Sequence, residues 1–315
     1  MSGTSQADKE RNEAAPAAGA RADIRLGLYL LRKNKLVLAG SVLAIGSLIL
    51  ALFSGYIVNP NVWKVTHLSL RLCWNNQAID WHILNIYDCP GAVHPLGTDS
   101  FGRDLLQMII LALPLDLEVA LAVVASAILI GVVFGSIAAY AGGVVDEAIL
   151  RITDVFFAVP GILLAIVIMA ILGRTIFNLT ISILITWWPL YVRLIRSQVL
   201  SEKEKPYVEA LRAMGASQPR IIFRHIVPNS IFPVIIQATL DIGSVILTLA
   251  TLVFLGFTPS ATIPELGNLA NQGIQYVFTA PWLIIFPGVT ILLISLGFNL
   301  LGDGLRDIFD PRLRR

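Results

Sequence analysis

Few side chains in these 315 residues could do covalent chemistry. No GxxxxGK occurs to cradle a phosphate, and neither GxSxG nor HExxH appears. Cys73 and Cys89 are the two cysteines, and they share one loop with His67, His82 and His94. That spacing matches no zinc-ligand pattern, so no metal site is expected. The cysteines either form a disulfide, as an oxidising compartment would favour, or stay as two thiols. A bridge closing a loop of that size would contribute about 3 kcal/mol in a chain-entropy treatment. Asp241 is the single charge in a long apolar run. An ionisable group there lines a water-filled pathway, lies near a helix end, or pairs with a backbone or hydroxyl group.

The richest polar pattern is 206–228, PYVEALRAMGASQPRIIFRHIVP. Pro206 suits a first helical position, and Tyr207, Leu211 and Met214 then share one helical face. Gly215 ends that helix by accepting a left-handed conformation. Ser217 can cap a second helix that has Pro219 in its first turn. The expected product is a helix, a glycine corner and another helix, with Arg212, Arg220 and Arg224 on it. Such a unit docks into another protein or lies on lipid headgroups, and spacing alone leaves both open.

The elements that must hold this unit are membrane spans. The chain is 56% hydrophobic and only 14% charged, against about 25% charged residues in a soluble domain. The net charge of +2 gives no basis for a nucleic-acid partner. Six apolar runs, 36–58, 119–141, 155–172, 175–192, 226–255 and 281–301, approach or exceed the roughly 20 residues needed to cross a bilayer. Pro160, Pro189, Pro233 and Pro287 sit within these runs or at their ends and are not expected to break them. In 131–135 a GxxxG allows close helix approach, either to a partner subunit or within this one. The stretch 257–280 is too polar to span. A helix starting at Pro264, with Leu266, Leu269 and Ala270 on one face, either dips between the spans or lies on the surface.

Charge sets the orientation. With the N-terminus in the cytoplasm, nineteen Lys and Arg fall inside and four outside, Lys64, Arg71, Arg103 and Arg174. The positive-inside rule therefore places both termini, and the 206–228 unit, in the cytoplasm. The segment 1–22 looks disordered, and the first span reads as an uncleaved anchor. The expected organisation is a cytoplasmic tail over 1–35, a first span over 36–58 and an extracellular loop over 59–116. A five-helix core over 117–302 follows, carrying the cytoplasmic segment 202–227, and 303–315 is a second tail.

Three motifs carry a resemblance. PYVEALRAMGASQPRIIFRHIVPN is similar to the EAA signature of ABC importer permeases. HPLGTDSFGRDLL, 94–106, resembles a mark of the C-type permease of dipeptide, oligopeptide and nickel importers. PWLIIFPGVTILLISLGFNLLGDGLRDIFDPRLR, 281–314, resembles the C-terminus of the same subunits. The resemblance runs from about residue 26 to the end. It implies an all-α integral membrane protein of the type I ABC importer permease fold, with six transmembrane helices. It further implies that the chain is half of a heterodimeric pore. Its partners would be a sister permease, two ATP-binding subunits that hold ATP and Mg, an extracellular substrate-binding protein and membrane lipid. The chain itself would bind no cofactor.

In such permeases the signature is the coupling helix that seats in an ATPase cleft, so Glu209, Ala210 and Gly215 carry that role here. Tyr207, Leu211, Arg212, Met214, Arg220 and Arg224 join them from the pattern of the segment itself. Short peptides are the expected cargo; nickel chelates and oligosaccharides are the alternatives.

The chain departs from the family pattern in three places. LATLVFLG has Leu249 where the family often has Glu, which weakens a polar pathway role there. The stretch after GRDLL is acidic, at Asp116 and Glu118, where the family tends to be basic. The first outer loop is long. Two rival functions fit less well. An ion-coupled secondary transporter calls for more intramembrane carboxylates than Asp241 and for an internal repeat. A membrane enzyme calls for a nucleophile, base or metal cluster.

Overall fold

The computed structural model describes residues 34–58, 90, 94–99, 102–258 and 264–309. Cys73, Cys89, His67 and His82 lie outside the described residues, as does most of the first outer loop. The described elements are α1 (Lys35–Ile57), α2 (Leu105–Ala141), α3 (Gly143–Phe157), α4 (Gly161–Leu172) and α5 (Ile176–Lys203), then α6 (Pro206–Ala213), α7 (Gln218–Ile221), α8 (Ile231–Phe254), α9 (Leu266–Gly273) and α10 (Trp282–Phe309). Helices α1, α2, α5, α8 and α10 are each long and apolar enough to cross a membrane. A sixth span results if α3 and α4 count as one, although they meet at 84°.

That bend corrects the expectation for Pro160. The residue is extended (φ −55°, ψ 125°) and separates the two helices. Residues 158–161 are all exposed, so the break is not buried among neighbouring helices. Pro189 and Pro287 lie inside unbroken helices, as expected, and Pro233 falls in the first turn of α8.

Helix α2 also departs from expectation. It starts at Leu105, fourteen residues before the predicted run, and carries Pro114 and Asp116 within it. Charge had ended the predicted span, but Asp116 is buried, and its Oδ2 accepts the Leu266 amide of α9 at 3.3 Å. The acidic departure from the family pattern is thus a tie between two helices. The fifth run also changes: α8 begins only at Ile231, after a π-turn over Ile222–Ile226 and a short turn over Val227–Asn229.

The start of α2 explains the HPLGTDSFGRD pattern physically. Asp104 caps the helix, its Oδ1 accepting the Gln107 amide at 3.0 Å, while its Oδ2 meets His94 Nδ1 at 2.8 Å. Asp99 Oδ1 accepts the Arg103 amide at 2.8 Å, and its Oδ2 pairs with the Arg103 guanidinium at 2.6 Å. The Thr98 carbonyl accepts from the Trp282 indole at 3.3 Å, which ties this turn to the start of α10.

Packing then follows the small residues. Helices α2 and α5 lie against each other along much of their length. A Cβ on Gly131 would come within 2.6 Å of Tyr191 Cβ, and one on Gly135 within 2.6 Å of the Val192 carbonyl oxygen. The GxxxG therefore packs within this subunit. On the other side α10 is flanked by α1, α8 and α9. Leu266, Leu269 and Ala270 are buried, so α9 sits among the spans and not on the surface. It starts at Leu266 with Glu265 as its cap, whose carboxylate accepts the amides of Gly267 at 3.0 Å and Asn268 at 2.6 Å.

Two outcomes are expected. Gly131→Ala should lower stability by about 1–3 kcal/mol through overpacking, whereas Gly55→Ala should change little, because nothing lies within 4 Å of a Cβ there. Thermal unfolding of both purified variants checks this. The second concerns pH. Burial pushes the Glu265 carboxyl up to about 7 from an ordinary 4.5. Docked α9 then holds a proton between those values that the undocked segment releases. Docking is strongest below pH 4.5 and weakens as the pH rises through 7. Hydrogen exchange of amides 266–273, corrected for intrinsic rates, should show this loss of protection, and Glu265→Gln should flatten it.

Candidate functional site

The sequence-predicted site residues Tyr207 to Arg224 come together as one projecting unit. Pro206 opens α6 at its first position, after Lys205 in extended conformation. At the far end the amide of Gly215 donates to the Arg212 carbonyl (2.9 Å) and that of Ala216 to the Leu211 carbonyl (3.1 Å). With Gly215 at φ +77° this is a Schellman closure, which favours glycine because a side chain is strained there. Helix α7 follows with Pro219 in its first turn. Ser217 holds the cap position, yet its side chain makes no capping bond, contrary to expectation. Pro219 has removed one of the two amides that such an oxygen would take.

One side of the unit is anchored. Val208, Ile221, Ile222 and Ile226 are buried, and Tyr207, Leu211 and Ala216 are partly buried against the core. The other side is left bare by the described residues: Glu209, Ala210, Arg212, Met214 and Gly215 are exposed, with Met214 at 74%. Met214 thus leaves the face it was expected to share with Tyr207 and Leu211. It sits at the cap, where the chain has already turned outward. Arg220 and Arg224 are exposed on the second half. The result is a knob with an apolar tip, one acidic group and a basic surround.

The anchor centres on Glu202, a residue that the sequence reading did not single out. Its buried carboxylate pairs with Lys205 and accepts from the Tyr207 hydroxyl at 3.0 Å. Burial pushes the Tyr207 hydroxyl up, so it keeps its proton as the donor. The same hydroxyl accepts from Asn229 Nδ2 at 3.5 Å. Next to it, Lys203 Nζ donates to the Ala139 and Tyr140 carbonyls at 3.1 and 3.2 Å, which closes the end of α2. Arg196 adds a two-pronged pair with Asp146 of α3, each contact 2.5 Å. The only sequence signal for Glu202 was its place one turn before Pro206, among charges that read as an ordinary polar helix end.

Asp241 lies apart from this unit. It is buried in α8, and its Oδ1 accepts from Gln237 Nε2 at 3.0 Å. The carboxyl interacts with the Tyr191 hydroxyl of α5, although neither Oδ2 nor that hydroxyl completes a hydrogen bond of ordinary geometry. Leu249, at the position where a polar pathway role was doubted, is fully buried core. Among the described residues no group of three or more His, Cys, Asp and Glu is arranged to hold a metal.

With this geometry in view, comparison with known proteins is direct. Residues 131–315 match the family described as binding-protein-dependent transport system inner membrane component. The chain is 40% identical to the dipeptide transport system permease protein of Alkalihalophilus pseudofirmus, over 90% of this chain and 88% of that one. It is 34% identical to the dipeptide transport system permease protein of Haemophilus influenzae, over 91% and 94%. It is 33% identical to the oligopeptide transport system permease protein of Bacillus subtilis, over 90% and 88%. A helical bundle of membrane-spanning length and a match over more than half its residues lead to one conclusion: the chain belongs to the family of binding-protein-dependent transport system inner membrane components.

Proposed function

We propose that this chain is a permease subunit of an ATP-driven importer of short peptides and forms half of the transmembrane pathway. The observation that carries the reading is the knob at Gly215: an anchored helix–corner–helix whose outward side is exposed, with no partner among the described residues. The names of the relatives supply the cargo class. A sister permease completes the pore, two ATP-binding subunits hold ATP and Mg, and a substrate-binding protein delivers peptide from outside. The charge count supports both termini and the knob on the cytoplasmic side.

Mechanically, the chain contributes a packing with two arrangements, which movement of the ATPase subunits biases. Glu209, Ala210, Met214 and Gly215 seat in an ATPase cleft. Arg212, Arg220 and Arg224 meet acidic groups at its rim or lipid phosphates. Displacement of the knob passes through Glu202 and Lys203 into α5, which is locked to α2, so the half-pore moves as a body. Asp241, being buried between α8 and α5, serves this packing better than it serves a pathway. Binding-protein preference for one arrangement would couple delivery to hydrolysis by the same linkage.

Two variants test the knob. Gly215→Val places a β-branched side chain at φ +77°, at a cost of about 1–2 kcal/mol for the left-handed conformation alone. It should insert normally yet lose most ATPase co-purification and ATP-driven uptake in reconstituted vesicles. Met214→Asp should leave thermal stability within about 0.5 kcal/mol, as for an exposed site, and still lower ATPase association about tenfold. Unchanged association in both would remove the coupling role. Uptake by the purified single chain in an ion gradient, without ATPase, would point to a secondary transporter instead.

A further inference from the structure

Arg193 of α5 and Asp154 of α3 form an exposed ion pair that the coupling unit does not use. Arg193 lies ten residues before the end of α5, about 15 Å up a helix axis. Arg193 and Asp154 directly flank the apolar runs 175–192 and 155–172, at the ends that the charge count makes cytoplasmic. Leu150, Asp154, Arg193 and Arg196 line a cavity of about 330 Å³. Ligand pockets start at about 300 Å³. The pair is not sealed, since the side chains are 40% and 53% exposed.

The surroundings hold the two charges in place without neutralising either. Arg193 Nε donates to Thr153 Oγ1 at 3.0 Å, and the guanidinium lies 4.6 Å above the centre of the Phe157 ring. Phe156 meets Trp188 edge to face, with 5.1 Å between ring centres. Arg196 is held by Asp146 in its two-pronged pair, so it contributes field to the cavity while its hydrogen-bonding edge is engaged. The cavity thus presents one cation and one anion, paired with each other, beside a nearby aromatic surface.

We infer that this cavity is a way-station for the main-chain ends of a short peptide, its carboxylate on Arg193 and its ammonium on Asp154. The inference rests on the peptide reading above. A zwitterion satisfies both members of the pair at once when it parts them, and side chains of any kind point away from the charges. Two extended residues reach about 7 Å, short enough to bridge two groups that start in contact. A guanidinium is suited to carboxylate because its planar fork matches the two oxygens. Thr153 and Phe157 keep that fork oriented when Asp154 lets go.

The experiment uses the complete transporter, with its sister permease, ATPases and binding protein, in vesicles. A dipeptide bearing a benzophenone side chain is first tested for ATP-driven uptake, then photolysed during turnover, and the labelled residues are identified by mass spectrometry. Label should fall on α3 and α5 near 150–157 and 187–196. It should drop about tenfold in Arg193→Gln and in Asp154→Asn, the effect of one lost charge-assisted hydrogen bond. Arg193→Lys should recover part of it. The C-amidated photoprobe, competed against the free form, should label wild type less but label Arg193→Gln no differently from the free form. Absence of uptake by wild type overturns the peptide reading itself. Uptake with label on other residues, or label undiminished in both variants, overturns the site alone. A fall in subunit association with unchanged labelling per assembled complex also overturns it and makes the pair a contact between subunits.

Discussion

The close approach of α2 and α5 is the constraint on which the rest of this structure depends. At Gly131 and Gly135 the α5 backbone lies where a side chain would otherwise stand. No hydrophobic effect drives helices together in lipid, so dispersion over such closely fitting surfaces has to hold them. Once the two are seated, Tyr191 and Ile195 fall into the core and Lys203 reaches the last carbonyls of α2. Helix α5 then has little freedom to tilt alone. A force applied at its end acts on α2 as well, and through the α2–α9 tie at Asp116 it reaches the opposite end of the bundle.

The join between that lever and the knob is polar, not apolar. A hydrophobic joint would tolerate sliding, because apolar contacts are non-directional. Glu202 instead accepts from two directions, Lys205 and Tyr207, and Tyr207 is fixed in turn by Asn229 beyond the corner. Three directional contacts therefore fix the angle of α6 relative to α5 and bring the chain after the π-turn back to the same point. The π-turn at Ile222–Ile226 keeps Ile222 and Ile226 in the core while Phe223 and Arg224 face outward. The segment can then stay anchored on one side and bare on the other.

What the sequence made legible was the chemistry of single residues whose backbone preferences are strong. Pro206 at a helix start, Gly215 at a left-handed corner and Pro219 in a first turn all follow from local sterics, and all stand where expected. The family also followed from the sequence, because three motifs recur in order. Missed were outcomes decided by neighbours in space. Pro160 separates two helices at residues 158–161, which are exposed, whereas Pro189 is buried inside an unbroken helix. The start of α2 was misplaced because charge was taken as the end of a span. Asp116 lies buried inside the helix, where its Oδ2 accepts an amide of α9, 150 residues away in sequence. Glu202 gave no signal for the same reason, since its importance lies in what surrounds it.

The buried and exposed charges of the bundle then divide by what they can do. Asp116 and Asp241 are each about nine-tenths buried or more; Asp116 ties α2 to α9, and Asp241 is bonded to Gln237 one turn back in α8. Reaching either would require a helix to leave its neighbour, and that would break the rigid body that transmission needs. Arg193 and Asp154 sit on the wall formed by α3 and α5, where α3 has only Thr153 buried and therefore little packing to lose. A pathway for a charged, variable cargo needs polar groups that can be engaged and released without disturbing the frame. By that criterion the α3–α5 wall meets the requirement and the α8 interior does not, whatever the cost of placing Asp241 at membrane depth.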